Sequence, residues 1–156
     1  LCTTNVVEMR DASWVVFEHC TIDATTRPSS GSSNDALRLT RSRFEAYGCR
    51  FFSSHALACS GGDGAVAIRC DAVSTLLLSD CVVSGGDGAH SDCLRCPTAR
   101  LGSASPAILG GRVELYGGNQ IGGAHGTFRC ILPSPLGPRA PAFASTSILR
   151  TRPDPL

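Results

Sequence analysis

Five charged residues of this 156-residue sequence have side chains suited to acid–base chemistry. They are the carboxylates Asp11, Glu45, Asp71 and Asp80 and the guanidinium of Arg69. Two carboxylates held within roughly 5 to 10 Å of each other can serve as general acid and general base or nucleophile. These residues are widely separated along the chain, so only the fold could assemble them into a catalytic site. Ordinary solvated surface acids are the alternative interpretation.

The word Gly-Gly-Asp-Gly occurs twice, at residues 61–64 and 85–88. Glycine adopts left-handed backbone angles freely and aspartate hydrogen-bonds to nearby backbone, so the word is typical of a turn. The alternative is a Ca²⁺ loop in which Asp63, Asp87 and Asp92 supply oxygen ligands. Ca²⁺-binding repeats of this kind follow one another directly, whereas these copies are well separated. We therefore expect turns and no cofactor, with Ca²⁺ as the alternative.

Nine cysteines is a high number for a chain of this length, and Cys93 and Cys96 form a Cys-x-x-Cys pair. A zinc site would need further ligands, for which His90, His125 or Cys70 could serve. Residues three apart in a strand point to opposite faces, so the pair converges only if the chain turns there. We favour packing or a disulfide, with zinc or redox chemistry as the alternative.

The composition excludes several classes of protein. Hydrophobic residues make up 42% of the chain and charged residues 17%, and the net charge is +1. Such a balance creates no basic field for nucleic acid, so no nucleic-acid partner is expected. No apolar run reaches the ~18 residues of a membrane helix, so no membrane insertion is expected. The sequence begins in strand-like residues without an initiator Met, and we expect it to be part of a longer chain or an oligomer.

The elements that must position these side chains form a repeat. The segments WVVFEHCTI (14–22), RFEAYGCRF (43–51) and TLLLSDCVV (75–83) align, with Cys20, Cys49 and Cys81 in one slot. A looser copy, VELYGGNQI (113–121), places Asn119 near that slot. Alternating apolar residues predict strands with one buried face. The predicted inward residues are Val15, Phe17, Ile22, Phe44, Ala46, Phe51, Leu76, Leu78 and Val83.

A second alternating run precedes each copy, and Met9, Leu39, Ile68 and Leu94 are predicted to align. The repeat is therefore about 30 residues long with two or more strands, too small to bury its apolar face alone. Amphipathic helical periods are missing, which excludes helical solenoids. A parallel β-helix satisfies the pattern: equivalent strands stack about 4.8 Å apart and the three cysteines form an internal ladder. Stacked β-carbons at that spacing are slightly too far apart for a relaxed disulfide, so we expect these thiols to be reduced.

The segments FEHCTI, AYGCRF and LSDCVV resemble the corner of the right-handed parallel β-helix superfamily of pectate-lyase-like proteins. This resemblance covers about residues 5 to 122. It implies that a catalytic member would carry paired acids, or an Arg or Lys base, on outward positions of stacked strands. The candidates Asp11, Asp71, Asp80 and Arg69 meet that requirement only in part, because no two acids share a slot in adjacent repeats. The sequence also has no lysine.

Outward positions next to the cysteine slot suggest a different use. His19 and Tyr47 precede the cysteines, and together with Trp14, Arg43 and Arg50 they could form a face on which sugar rings stack. Solvated outer-wall residues are the alternative interpretation of the same side chains.

The predicted fold is all-β: a right-handed single-stranded parallel β-helix of about four or five coils spanning residues 1–129. Residues 130–156 hold most of the prolines and are predicted to form a Pro-rich strap or cap, because proline disfavours continued sheet pairing. We expect a non-catalytic scaffold or adhesion module that binds a polysaccharide or a protein partner. A polysaccharide lyase or glycoside hydrolase, and a viral or fibre component, are the alternatives. An extracellular, cell-surface or virion location is expected.

Overall fold

The computed structural model describes residues 7–25, 34–56, 62–92, 103–124, 128–129, 139–144 and 147–152. Every regular element in these ranges is a β-strand, and no helix that could cross a membrane occurs in them. The alternating apolar pattern of the sequence accounts for this result, since short runs with every second residue apolar bury one face of a strand.

The strands follow one another in triplets. The first triplet is β1 (Val7–Arg10), β2 (Val15–Glu18) and β3 (Thr21–Asp23), and the second is β4 (Leu37–Thr40), β5 (Arg43–Tyr47) and β6 (Arg50–Phe52). The third triplet is β7 (Ile68–Cys70), β8 (Thr75–Ser79) and β9 (Val82–Ser84), followed by the short β10 (Ser91–Asp92). The fourth is β11 (Ile108–Leu109), β12 (Arg112–Tyr116) and β13 (Asn119–Ile121). The last strands are β14 (Phe128–Arg129), β15 (Phe143–Ala144) and β16 (Ser147–Arg152).

Each triplet contributes one strand to each of three sheets. Sheet A has the order β1-β4-β7-β11-β15, sheet B has β2-β5-β8-β12-β16, and sheet C has β3-β6-β9-β13. A two-stranded sheet D joins β10 to β14. All strand pairs are parallel. The chain is therefore an all-β protein whose parallel sheets are consistent with a β-helix-like solenoid.

The core lies between the three sheets and is built from columns of equivalent residues. In sheet B, Phe44, Leu76 and Val113 are in register and fully buried. Aromatic rings lie at one end of the core, where Phe17 of the first triplet and Phe44 of the second pack edge to face with their centroids 5.1 Å apart. The predicted inward residues lie in this core, and those of the first triplet are the least covered.

A column of left-handed residues turns the chain between sheets B and C. His19, Gly48, Asp80 and Gly117 all have φ between 50° and 61°. Backbone N–H groups link His19 to Tyr47 and Asp80 to Tyr116, so each corner stacks on the next. Glycine adopts such angles without strain, whereas His19 and Asp80 adopt them at an energetic cost that the stacked corners must compensate.

The cysteine ladder lies directly after this corner. The Cys49 thiol donates to the carbonyls of Tyr47 at 3.4 Å and Phe17 at 3.5 Å. Cys81 repeats the arrangement with Ser79 at 3.3 Å and Ala46 at 3.4 Å. Cys20, Cys49 and Cys81 are free thiols, as predicted, and each of the latter two connects neighbouring triplets.

One detail of the predicted alignment was wrong. Leu39 is in register with Cys70 rather than Ile68, because Ile68 pairs with Leu37. In the fourth triplet Asn119 pairs with Val82, which puts Gly118 beside the cysteine column. A β-carbon at Gly118 would collide with the Cys81 carbonyl, so this position takes no side chain.

The Pro-rich segment contributes two strands. The pairs β11–β15 and β12–β16 extend sheets A and B by one strand each. Residues 130–138, 145–146 and 153–156 lie outside the described residues, and so does Leu94, which was predicted to lie in the fourth sheet A strand. In the structure that place is taken by β11.

Candidate binding face on sheet B

Two strands of sheet B present the same outward sequence. Strand β5 reads RFEAY and strand β12 reads RVELY, so each follows the pattern Arg-x-Glu-x-Tyr. Alternation places the named residues on one face of the strand and the intervening apolar residues in the core. Both strands pair in register with β8, which lies between them. The two rows are therefore stacked, with one row between them and about 10 Å from one to the other.

Glu45 is the centre of the first row. Its carboxylate accepts hydrogen bonds from Arg43 Nη2 at 2.8 Å, Arg43 Nε at 3.1 Å and the Tyr47 hydroxyl at 3.0 Å. The Glu45 side chain is only 8% exposed although it points away from the core, because these neighbours cover it. The hydrogen bonds from Arg43 lower the pKa of Glu45, with smaller contributions from Tyr47 and the Trp14 side chain. The row is thus a pre-formed, ionised Arg–Glu–Tyr cluster.

The second row repeats the arrangement more loosely. The Tyr116 hydroxyl donates to Glu114 at 3.4 Å, and Arg112 is exposed. Between the two rows, strand β8 presents the shorter side chains Thr75, Leu77 and Ser79, all half-buried. Shorter side chains, of which only Leu77 is apolar, therefore separate the two rows of long ones.

Trp14 extends the face beyond the first row. It precedes strand β2 and is 64% exposed, and the neighbouring outward residue Val16 is 39% exposed. Val16 is in register with Glu45, so this exposed apolar area borders the Arg–Glu–Tyr cluster. We call the outward side chains of β2, β5, β8 and β12 together with Trp14 the sheet B face.

The sequence-predicted ligand residues fall on different parts of the molecule. Trp14, Arg43 and Tyr47 belong to the sheet B face. His19 lies in the corner between sheets B and C, with its ring against Gly48, and Arg50 begins strand β6 of sheet C. The structure therefore brings three of the five together. Arg112, Glu114 and Tyr116 were missed, although the repeated Arg-x-Glu-x-Tyr pattern was visible in the sequence.

The predicted acid–base candidates are also distributed over the fold. Asp11 and Asp71 lie at the corner between sheets A and B, where Arg41 bonds Asp11 through Nε at 2.5 Å and Nη2 at 2.9 Å. Asp71 accepts hydrogen bonds from the Arg41 N–H at 2.9 Å and the Ser74 hydroxyl at 2.5 Å. Hydrogen bonds from Arg41 lower the pKa of Asp11, and those from Ser74 lower the pKa of Asp71. Both carboxyls are therefore disposed to remain ionised, which does not suit a proton donor.

The other three candidates do not belong to this corner, and Glu45 is the centre of the first row on sheet B. Asp80 is exposed in the corner between sheets B and C, and Arg69 lies on sheet A, where it pairs with Asp35 at 2.6 Å. Of the predicted acid–base residues, Asp71 is linked to Asp11 through Arg41 and also lies with Arg69 around one depression.

The aspartates of the two Gly-Gly-Asp-Gly words bond to backbone. Asp63 accepts a hydrogen bond from the Ser103 N–H at 2.8 Å, and Asp87 accepts one from the Ala124 N–H at 2.5 Å. Asp92 lies in strand β10. Within the described part of the chain, no three His, Cys, Asp or Glu side chains are grouped so that they could hold a metal ion. Cys93, Cys96 and His125 of the possible zinc set lie outside the described residues.

Comparison of the chain with protein-family models, curated proteins and solved structures finds no match. The class of protein is thus defined by the fold alone, as a parallel-stranded all-β protein with repeated triplets.

Proposed function

We propose that this chain is a non-catalytic carbohydrate-binding module, and that the sheet B face binds an extended polysaccharide. The proposal includes the finer fold: a right-handed single-stranded β-helix of the pectate-lyase-like kind, with about four or five coils and a Pro-rich strap. An extracellular or cell-surface location follows from such a role. The observation that carries the proposal is the repetition of the Arg–Glu–Tyr row on β5 and β12.

The chemistry of the rows supports a sugar ligand. Tyrosine and tryptophan rings offer flat apolar surfaces next to polar groups, and Arg and Glu side chains bond to hydroxyl groups as donor and acceptor. Each row pairs one Arg with one Glu, and the outward residue Glu18 of β2 adds a further carboxylate, so the face has no excess of positive charge. A neutral, hydroxyl-rich chain suits this face better than a polyanion.

The spacing of the rows supports an extended ligand. Equivalent tyrosines lie about 10 Å apart along the direction in which the strands stack. A polymer running in that direction meets the same set of side chains twice, and two linked contacts bind more tightly than one. We therefore expect affinity to rise with the length of the oligosaccharide until both rows are occupied.

Binding can be followed through Trp14, which is the sole tryptophan of the chain. A panel of neutral and acidic polysaccharides is titrated while Trp14 fluorescence and the heat of binding are recorded. We expect a neutral polymer to bind, and the double variant Tyr47→Ala with Tyr116→Ala to lose at least tenfold in affinity. Arg50→Gln on sheet C is the matched control and leaves binding unchanged. Equal weakening by the control, or binding of none of the panel, contradicts the proposal.

The enzymatic alternative has a separate readout. Glu45 and Glu114 are two carboxylates in one column, a separation compatible with an inverting hydrolase. Such an enzyme also needs a carboxyl with a raised pKa as proton donor, whereas the pKa of Glu45 is lowered. Each polymer that binds is incubated with the protein and assayed for new reducing ends and for unsaturated products. Release of either product, abolished by Glu114→Gln, would replace the binding proposal with an enzyme.

A further inference from the structure

Two arginines on the outer face of sheet A share one carboxylate. Arg38 of β4 and Arg69 of β7 are in register on adjacent strands, about 4.8 Å apart. Arg38 Nε donates to Asp35 Oδ2 at 3.0 Å, and Arg69 Nε donates to the same oxygen at 2.6 Å. Arg69 Nη2 also reaches Asp35 Oδ1 at 3.3 Å.

Asp35 holds both guanidinium groups in place. Its side chain is 3% exposed, and the Val66 N–H donates to Oδ1 at 3.2 Å. A carboxylate so deeply buried is stable only while its donors remain around it. The two arginines are therefore fixed by a buried anchor, unlike arginines that are free to move on a surface.

The three groups Arg38, Arg69 and Asp35 together carry one net positive charge, because two guanidinium groups face a single carboxylate. The Arg38 and Arg69 side chains are 48% and 44% exposed, so their outer edges reach solvent. Among the described residues, the Nη groups of Arg38 donate to no protein acceptor. Donor groups fixed in place and directed at solvent are what an anion requires.

An open depression of about 290 Å³ lies over these arginines. Glu8, Thr40 and Asp71 form part of its rim. Of the two rim carboxylates, Glu8 is paired with Arg10 at 2.5 Å and 2.8 Å, whereas Asp71 bonds to the neutral Ser74 hydroxyl at 2.5 Å and keeps its negative charge. The feature that suits an anion is therefore the set of fixed, outward N–H donors of Arg38 and Arg69, and not an excess of positive charge around the depression.

We propose that this depression binds an oxyanionic group, held by the outer N–H groups of Arg38 and Arg69 with Asp35 as the positioning residue. Planar guanidinium groups match the oxygen geometry of carboxylate, sulfate and phosphate, and two of them on one anion give charge-assisted bonds. The site goes beyond the proposed function, because it lies on sheet A and selects for an anion, whereas the sheet B face has no excess of positive charge.

The test is a titration of the ¹⁵N-labelled 156-residue chain with sodium acetate, sulfate and phosphate at constant ionic strength, with chloride as reference. We expect saturable shifts of the Arg38 and Arg69 Nε–H signals with at least one of the three anions. Preference for acetate identifies a carboxylate ligand, and preference for sulfate or phosphate identifies a tetrahedral one. Shifts that grow linearly and equally with all salts, chloride included, overturn the proposal.

Variants separate this site from the rest of the surface. Arg38→Gln is expected to weaken anion binding at least tenfold. Arg38→Lys keeps a positive charge beside the buried Asp35, so it replaces Arg38→Gln if that variant does not fold, and it is expected to weaken binding less. Arg50→Gln is the control and leaves it unchanged. The double variant Tyr47→Ala with Tyr116→Ala also leaves it unchanged, so failure of the sheet B proposal and failure of this one are distinguishable. Anion binding that survives Arg38→Gln and Arg38→Lys undiminished contradicts the assignment.

Discussion

Glu45 and Glu114 occupy the same outward column of sheet B with a single strand between them. Each is in register with Leu77, on opposite sides of strand β8. Glu45 is covered by its hydrogen-bonding neighbours, whereas Glu114 is half-buried. The same Arg-x-Glu-x-Tyr pattern is therefore closely packed on β5 and more open on β12. This pairing of equivalent residues provides matched variants for testing how each row contributes to stability and binding.

The hydroxyl of Tyr47 is expected to stabilise the fold more than that of Tyr116. Tyr47 donates to a buried carboxylate at 3.0 Å, whereas the bond from Tyr116 to Glu114 is 3.4 Å long. Tyr47→Phe should lower the free energy of unfolding by about 1 kcal/mol, and Tyr116→Phe by less. Denaturant unfolding of the two variants measures the difference. A larger loss in Tyr116→Phe would show that the closed first row is not a real feature of the protein.

Stability is expected to fall in acid partly because of Glu45. The hydrogen bonds from Arg43 lower the pKa of Glu45 in the folded state below its ordinary value of 4.5. A depressed folded-state pKa contributes stability above the unfolded value, and that contribution is lost as the pH falls through the folded value. The melting temperature should therefore decrease below about pH 4.5, and Glu45→Gln should flatten this part of the curve.

The control for that experiment is Asp11→Asn. Arg41 also lowers the pKa of Asp11, but both side chains of this pair are exposed, at 61% and 63%. Solvent screens such a pair, so Asp11→Asn should change the fall in melting temperature below about pH 4.5 much less than Glu45→Gln does. Equal flattening in both variants would argue against the buried character of Glu45.

Gly86 is expected to be intolerant of any side chain. A β-carbon there would collide with the Ser54 carbonyl and come within 2.8 Å of the Ala65 nitrogen. Both obstacles are backbone, so they cannot move aside as a flexible side chain would. Gly86→Ala should cost more than the ~0.5–3 kcal/mol of an ordinary substitution, with Ser13→Ala at an exposed position as control. Thermal unfolding of the two variants decides it, and a near-neutral Gly86→Ala would contradict the packing of adjacent triplets at this point.

The described thiols are expected to differ sharply in reactivity. Burial raises the pKa of Cys70 to about 12 and that of Cys81 to about 11, whereas Cys20 is exposed. Thiolate is the reactive form, so buried thiols of high pKa react slowly. Iodoacetamide at pH 8 should label Cys20 quickly and Cys81 only after denaturation, as measured by peptide mass spectrometry. Rapid native labelling of Cys81, or its recovery in a disulfide, would contradict the internal ladder.

The repeat itself could be predicted from sequence because strand periodicity is a local property. Alternating apolar residues before Cys20, Cys49 and Cys81 predicted the strands of sheet B and their inward faces, and the register confirms that alignment. The error at Ile68 is a shift of two residues, since Leu39 pairs with Cys70. A shift of two keeps the side chain on the same face of the strand, so the alternating pattern does not distinguish Ile68 from Cys70.

The sequence by itself determined which residues are apolar, how they alternate and at what interval they recur, and these features are sufficient for a stack of parallel strands. Only the tertiary structure decided which outward residues become neighbours. Arg38 and Arg69 meet on Asp35, and the Arg–Glu–Tyr rows of β5 and β12 lie on one face on either side of β8, because strand stacking joins residues about 30 or 70 positions apart. Outward positions experience weaker packing constraints than the core, so the sequence pattern does not predict which of them are neighbours. The strand register determines this.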